Sequence, residues 1–184
     1  MKNNINQNTH VGASFSLRNK IARTVWNIFY VLFFRYSLRP FHAYRRVVLK
    51  LFGAKIGKGV HVYPSVKIWA PWNLELGDYC GIGDEVNLYS QGKIKIGSYS
   101  VVSQNSTLCT GTHDYENFGF RLITKQITVE SFVWIAAEVF IHPGVTIGEG
   151  CIIGARSVVI NDMEGNAICS GFPCIKIKSI QRNK

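Results

Sequence analysis

Aliphatic residues recur every six positions along most of this chain, beginning at Ile56. The residue after the aliphatic one is often glycine, and the residue four positions after it is usually small or β-branched. The series consists only of Ile, Leu and Val: Ile56, Val62, Ile68, Leu74, Leu76, Ile82, Leu88, Ile94, Ile96, Val102, Leu108, Val129, Ile135, Ile141, Ile147, Ile153 and Val159. Such regularity indicates a repeat architecture.

A period of six is not that of an α-helix, and it suits short extended segments separated by tight corners. Three such segments make one triangular coil. The phase of the series shifts twice, which predicts coils that begin near residues 56, 76 and 96. Stacked coils place parallel strands about 4.8 Å apart and bury the aliphatic column inside a prism. The sequence therefore predicts an all-β fold, a parallel β-helix of hexapeptide repeats over residues 51–168.

The repeat is interrupted between His113 and Val129, and residues 114–128 are expected to protrude from the prism as a loop. Interruptions of a solenoid usually lie on its binding face. His113 is the last residue of the six-residue repeat that begins at Leu108, directly before the loop. Its ring is therefore expected at an edge of the prism. Because a neutral imidazole accepts a proton near neutral pH, His113 is a candidate general base.

The residues before the repeat have a different character. Residues 1–17 are mostly polar, and we expect them to be disordered. Residues 18–50 combine Arg and Lys with the aromatic and aliphatic run 26–34, which predicts a basic amphipathic helical segment. The run is about half as long as a bilayer-spanning helix must be. It either lies in the plane of a membrane surface or packs on the main domain or a sister subunit, and the sequence leaves both open.

The net charge of +10 indicates an anionic partner, which could be nucleic acid, anionic lipid or a phosphorylated cofactor. No recognised nucleic-acid-binding module accompanies this charge, so we expect no nucleic acid. The five cysteines lack CxxC spacing, and no secretory signal precedes them. These features predict reduced thiols and a cytoplasmic protein, peripheral at the inner face of the membrane if the helical segment binds lipid.

The region from Leu49 to about Arg182 resembles the hexapeptide-repeat acyltransferases, most closely the sugar O-acetyltransferases of the maltose, galactoside and colanic-acid-biosynthesis type. The resemblance rests on blocks such as Thr110-Gly111-Thr112-His113-Asp114, Pro143-Gly144-Val145-Thr146-Ile147-Gly148 and Gly171-Phe172-Pro173-Cys174. It implies a left-handed β-helix and a homotrimer. It also implies acetyl transfer from acetyl-CoA to a hydroxyl of a sugar, in surface polysaccharide biosynthesis. If the helical segment binds membrane, a lipid-linked sugar is the expected acceptor.

The resemblance assigns roles to individual residues. His113 occupies the catalytic position of the family, and the tail 169–184 is expected to close the acetyl-CoA site. Ile175 and Asn161 replace basic residues that are usual in the family, and Ala136 stands where glycine is frequent. The implied acetyl-CoA contacts are Trp134, Ala136, Ala137, Ala155, Lys176 and Lys178.

Candidate acceptor contacts are Asp84, Glu85 and Asp114, polar residues near the repeat corners and the loop. No two histidines have a spacing typical of a zinc site, so no metal is expected. Two other functions compete with sugar acetylation. One is transfer to another small hydroxyl acceptor, such as an antibiotic or serine, and the other is a non-catalytic β-helical scaffold or sugar-binding protein.

Overall fold

A computed structural model describes residues 15–181 as a three-sided prism with two helices packed on its first coil. The predicted all-β fold class, a parallel β-helix of hexapeptide repeats with an N-terminal helical segment and a protruding loop, is confirmed. Residues 1–14, which include most of the segment predicted to be disordered, lie outside the described residues. The prediction of disorder is wrong at the end of that segment, because Ser16 caps the helix Leu17–Phe29 and Leu17 begins it.

Each face of the prism is a sheet of stacked parallel strands, except that the last strand of the second face, β19, is antiparallel. The first face contains β1 (Lys55–Ile56), β4 (Leu74–Leu76), β7 (Ile94–Ile96), β12 (Ile127–Val129) and β15 (Thr146–Ile147). The second face contains β2 (His61–Val62), β5 (Gly81–Ile82), β8 (Val101–Val102), β13 (Trp134–Ile135), β16 (Ile152–Ile153), β18 (Ala167–Gly171) and β19 (Cys174–Ser179). The third face contains β3 (Lys67–Ile68), β6 (Asn87–Tyr89), β9 (Thr107–Cys109), β14 (Phe140–Ile141) and β17 (Val158–Val159).

The repeat aliphatics form the core, and every one of the seventeen is buried. Ile82 lies in register with Val62 on one side and Val102 on the other, so each side chain packs against its counterparts in the neighbouring coils. Small polar residues fill several of the corner positions that the sequence predicts to be small. The buried hydroxyls of Ser100 and Ser106 donate to the carbonyls of Glu130 and Ala136, each at 2.8 Å, which ties one coil to the next.

The predicted helical segment consists of α1 (Leu17–Phe29), a π-helical turn (Tyr30–Phe34) and α2 (His42–Leu51). Trp26 anchors α1, because its ring is fully buried and its indole N–H donates to the carbonyl of Ile68 at 2.8 Å. The rings of Phe34 and Phe52 pack edge-on against Trp26. One half of the aromatic run is therefore part of the core.

Arg45 anchors α2. Its guanidinium is fully buried and donates to the carbonyls of Val62 at 2.6 Å, Leu38 at 2.9 Å and Arg39 at 2.6 Å. These acceptors are neutral, and burial lowers the pKa of Arg45. Arginine is usually found at the protein surface, yet here it is buried and holds the helical segment on the prism.

The opposite side of the helical segment exposes large apolar side chains. They are Leu17, Ile21, Val25, Ile28, Val31, Leu32, Phe33, Tyr36, Leu38, Phe41, Tyr44, Val47 and Leu51. Among residues 15–181, no helix has both the length and the apolar character that crossing a bilayer requires.

The predicted loop 114–128 is more ordered than a simple loop. Its base is an antiparallel hairpin of β10 (Gly111–His113) and β11 (Leu122–Thr124). The chain returns to the prism at β12, where Ile127 is fully buried and pairs with Ile94. The protruding part is therefore the hairpin, and residues 127 and 128 belong to the prism.

The C-terminal tail continues the second face. Strand β18 pairs in parallel with β16, and β19 folds back antiparallel on β18. The predicted boundary at residue 169 therefore falls inside β18. Cys151, Cys169 and Cys174 are buried beneath this hairpin as free thiols, with 3.8 Å between the sulfurs of Cys151 and Cys169. Burial and the neighbouring Cys169 raise the pKa of Cys151 to about 12.

Candidate active site

His113 lies at the end of β10, where the hairpin leaves the prism. Its ring Nδ1 contacts the backbone carbonyl of Phe120, on the other arm of the hairpin. A carbonyl can only accept a hydrogen bond, so this contact requires the proton of a neutral ring to be on Nδ1. The lone pair is then on Nε2. The geometry thus presents His113 in the tautomer that a general base needs.

Phe120, which supplies this carbonyl, has an unusual backbone conformation, since its φ is +42°. The left-handed region is costly for a bulky residue, and such strain is often found at functional sites. The amide of Phe120 donates to the carbonyl of Asn117 at 3.0 Å, which closes a turn at the tip of the hairpin. Phe120 therefore fixes the orientation of the imidazole through its main chain.

Asp114 is occupied by its own loop. Its carboxylate accepts from the backbone N–H of Glu116 at 3.2 Å and from the side-chain amide of Asn117 at 2.6 Å. Its backbone N–H donates to the carbonyl of Arg121 at 2.9 Å. These contacts make Asp114 a residue that shapes the hairpin tip, and its predicted contact with an acceptor stays a prediction.

Trp134 projects from β13 on the second face and is half exposed, at 50%. Its indole N–H donates to the hydroxyl of Ser103 at 3.1 Å. In register, it lies between Val101 and Ile152. The indole is thus oriented by a side-chain bond but keeps an accessible ring face, which suits contact with a ligand.

Lys178 lies farther along the same face. Trp134 is in register with Ile152, Ile152 with Ile168, and Ile168 with Lys178. Three strand spacings separate the tryptophan from the lysine, or about 14 Å. Lys176 is paired with Glu164 at 2.7 Å, and this contact raises the pKa of Lys176. Of the two predicted basic contacts, Lys178 lies in line with Trp134.

The predicted alanine contacts lie at the corner between the second and third faces. The backbone N–H of Ala136 donates to the carbonyl of Ile153 at 2.9 Å, and the carbonyl of Ala137 accepts from Arg156 at 2.9 Å. Ala155 is exposed at the equivalent corner of the next coil. The main chain of Ala136 and Ala137 is thus engaged in holding coils together, and the roles predicted for all three alanines stay predictions.

Asp84 lies at the same corner two coils earlier. It binds Arg39 at 2.8 Å and accepts from the hydroxyl of Ser65 at 2.9 Å. It lines an open hollow of 630 Å³ on the second face, together with His61 and with Ser103, the partner of Trp134. The hollow therefore adjoins the exposed tryptophan.

Glu85 lines the same hollow and is bound to two cations, Lys67 at 3.1 Å and Arg35 at 3.2 Å. The hydrogen bond from Lys67 is the main reason why the pKa of Glu85 is lowered. Both acidic residues therefore connect the prism to basic side chains, and Arg35 and Arg39 come from the helical segment.

These groups do not form one site within a single chain. In a three-sided prism, the second face lies opposite the corner between the third and first faces. The hairpin with His113 leaves at that corner, between β9 and β12, whereas Trp134 and Lys178 lie on the second face. The candidate base and the candidate cosubstrate residues are thus on opposite sides of the prism.

Known acetyltransferases share the sequence pattern and the fold of this chain. The family described as "bacterial transferase hexapeptide (six repeats)" matches residues 127–161. The provisionally named colanic acid biosynthesis acetyltransferase WcaF of Escherichia coli (strain K12) is 45% identical over 160 residues, covering 87% of this chain and 88% of that protein. The chain belongs to the hexapeptide-repeat acetyltransferases. The galactoside O-acetyltransferase of the same strain is 31% identical over 140 residues, covering 74% of this chain and 68% of that protein.

Solved structures of acetyltransferases have the same architecture. A maltose O-acetyltransferase from Clostridium difficile 630 superposes with a TM-score of 0.83 at 25% identity, covering 91% of this chain and 90% of that one. A galactoside acetyltransferase in complex with coenzyme A gives a TM-score of 0.83 at 26% identity, covering 91% and 84%. The predicted family and enzyme class are thereby confirmed.

Sequence reasoning missed several residues around this candidate site. Phe120 acts through its carbonyl and an unusual φ, which its residue type does not signal. Ser103 orients Trp134 from the preceding coil, a partner that only the strand register identifies. Arg39 neutralises Asp84 across 45 sequence positions. The excess of arginine before the repeat was the one visible signal for this last contact.

Proposed function

We propose that this acetyltransferase moves an acetyl group from acetyl-CoA to a sugar hydroxyl, in the synthesis of a surface polysaccharide, with His113 as general base. The observation that carries the proposal is the contact between His113 Nδ1 and the carbonyl of Phe120, which leaves Nε2 as the basic nitrogen. The 45% identity to an acetyltransferase named for colanic acid biosynthesis supports the substrate class.

The proposed chemistry follows from this tautomer. His113 Nε2 accepts the proton of the acceptor hydroxyl as the hydroxyl oxygen attacks the acetyl carbonyl. When the carbon–sulfur bond breaks, the same nitrogen returns the proton to the departing sulfur. The carbonyl of Phe120 holds the ring throughout and stabilises the transient imidazolium. General-base catalysis of this kind contributes about 10²- to 10⁴-fold to the rate.

Acetyl-CoA supplies an acyl group already activated as a thioester. We assign its binding to the second face, where Trp134 offers an apolar ring surface and Lys178 a cation about three strand spacings, or 14 Å, away. An exposed aromatic group and a distant cation suit a ligand with an extended arm and a phosphorylated end. The solved relative in complex with coenzyme A supports this choice of cosubstrate.

We further propose that the working enzyme is a homotrimer with its active sites between copies. The placement of His113 and Trp134 on opposite sides of one prism supports this, because a neighbouring copy must supply whichever half is absent. A cyclic trimer repeats one such head-to-tail contact three times. The exposed hairpin tip, where Phe118 is 95% exposed, is suited to reach the neighbour.

In that arrangement the hollow beside Trp134 faces the neighbour's imidazole and holds the acceptor. Asp84 and Glu85 line the hollow, and carboxylates are good acceptors for sugar hydroxyls. Their ion pairs with Arg39 and Arg35 fix the direction of the two carboxylates. The helical segment thus contributes to the acceptor site through its arginines.

His113→Ala tests the proposal. We expect release of free CoA in the presence of the best acceptor to fall by about 10²- to 10⁴-fold, with the oligomer unchanged. His142→Ala removes a histidine from the same corner of the prism, whose ring packs edge-on against Phe140, and should lower turnover far less than His113→Ala does. The acceptor panel should include oligosaccharides, serine and hydroxylated antibiotics. Unchanged turnover in His113→Ala, or a preference for a non-sugar acceptor, would contradict the corresponding part of the proposal.

A further inference from the structure

The outer side of α1 carries a continuous aliphatic stripe that nothing among residues 15–181 covers. Leu17, Ile21, Val25, Ile28 and Leu32 follow one another at intervals of four or three residues, so they share one side of the helix. All are exposed, and Ile21, Ile28 and Leu32 are 56%, 57% and 61% exposed. Trp26 points the opposite way into the core. The stripe therefore faces directly away from the prism.

The stripe continues across the rest of the helical segment. Tyr36, Phe41 and Tyr44 are exposed around an open apolar groove of 330 Å³, and Val47 and Leu51 extend the surface along α2. We call this exposed apolar surface of residues 17–51 the helical surface. A soluble domain rarely leaves so many adjoining apolar side chains uncovered unless they contact a partner.

The charge around the helical surface has one sign. The first acidic residue of the chain is Glu75, and the 74 residues before it contain twelve Lys and Arg. Arg35 and Arg39 are paired with carboxylates of the prism, and Arg45 is buried. Arg18, Lys20 and Lys50 remain exposed on the helices that carry the apolar side chains.

We propose that the helical surface docks on an anionic phospholipid bilayer, with α1 lying in the plane of the interface. Aliphatic and aromatic side chains on one side of a helix, flanked by cations, are suited to insert among acyl chains while the cations contact lipid phosphates. A second copy fits less well, because joining two helical surfaces brings together two segments that contain no acidic residue. This proposal concerns binding alone and does not depend on the acceptor or on His113.

Flotation of the full chain with vesicles tests it. At low salt, we expect binding to vesicles of phosphatidylcholine with phosphatidylglycerol, weak binding to phosphatidylcholine alone, and release as the salt concentration rises. Replacing Arg18, Lys20 and Lys50 together by Gln should weaken binding to anionic vesicles on the order of 100-fold, since each cation contributes roughly five-fold.

A second variant tests the apolar contribution. Ile21→Gln, Ile28→Gln and Leu32→Gln together should weaken binding at least about ten-fold while leaving the fold intact, because all three side chains are exposed. The matched control is Thr24→Gln with Asn27→Gln, two exposed polar positions of the same helix, and it should bind as the wild type does.

Three results would overturn the proposal. The full chain could ignore anionic vesicles at low salt, or both triple variants could bind them as the wild type does. The apolar variant could instead lower the oligomer size in light scattering without affecting vesicle binding, which would make the helical surface a contact between copies. Because these measurements need no turnover, they stay informative even if the proposed acetyl transfer is wrong.

Discussion

The prism and the helical segment use apolar residues in opposite ways. In the prism, every aliphatic of the six-residue series points inward and is buried. In the helical segment, Trp26 and Phe34 are buried whereas Ile28 and Leu32, from the same run of sequence, are exposed. The prism uses its apolar side chains for its own stability. The helical segment uses half of them to attach itself and leaves the other half available to a partner.

The two regions also treat charge differently. All the acidic residues of the chain lie from Glu75 onward, whereas the helical segment carries only basic ones. Arg35 and Arg39 form ion pairs with carboxylates of the prism, and these pairs join the two regions. Substitutions in the prism should therefore act on stability, and substitutions on the outer helical surface should act on binding.

The largest effect on stability is expected in the prism. Ile135→Ala removes a fully buried side chain from the middle of the stack, where the neighbouring coils cannot collapse into the space. We expect the free energy of unfolding to fall by about 2–5 kcal/mol, measured by urea denaturation. A loss below about 1 kcal/mol would mean that the column is not close-packed.

A smaller effect is expected where the two regions join. Arg45→Met removes the donor that satisfies the carbonyls of Val62, Leu38 and Arg39, and it should cost about 1–3 kcal/mol. Hydrogen exchange should become faster in α2 and not in the later coils. Lys50→Met, on the exposed side of the same helix, is the control. Equal effects of the two substitutions would contradict the anchoring role of Arg45.

A pH effect on the same junction should be smaller again. Burial lowers the pKa of His42, and the charges of Arg45, Arg46 and the stacked His61 lower it further. A hydrogen bond to the carbonyl of Val62 opposes this shift but does not reverse it. The unfolded chain therefore binds the proton more readily. Stability is unaffected above the unfolded pKa of about 6.5 and falls as the pH drops from there toward the folded pKa. We expect the free energy of unfolding to depend less steeply on pH in His42→Asn than in the wild type, as measured by unfolding at pH values on either side of 6.5.

The smallest effect on stability is expected on the helical surface. Ile28→Gln should change the free energy of unfolding by less than about 0.5 kcal/mol, because Ile28 is already 57% exposed. Thermal unfolding in the absence of vesicles is the measurement. A destabilisation as large as that of Arg45→Met would show that the stripe packs against part of the protein.

The repeat could be predicted from sequence because its signal is local and repeated. The predicted coil starts near 56, 76 and 96 fall on β1, β4 and β7. The sequence places Ile127 in the loop because it lies two residues before the next position of the series, but in the structure it pairs with Ile94 and is buried. The strands of the hairpin were missed because each pairs with a single partner, which leaves no repeat in the sequence.

The site was harder to predict because it depends on topology. The resemblance gives His113 and Trp134 separate roles, and the faces that the two residues occupy depend on how many corners lie between them. The run 26–34 shows the same limit, since Trp26 and Ile28 differ by two positions but lie on opposite sides of α1. Arginine is usually exposed, so the sequence alone favours a surface position for Arg45. Its burial is explained by hydrogen bonds to backbone carbonyls, which only the structure shows.

The central claim is that each active site combines His113 of one copy with the second face of another. The most direct test is complementation between His113→Ala and a variant carrying both Trp134→Ala and Lys178→Glu, produced together with different tags. Each variant alone should be nearly inactive. In random mixed trimers about a quarter of the sites regain both intact halves, so about a quarter of wild-type turnover should return. Mixed trimers no more active than either parent would contradict a site shared between copies.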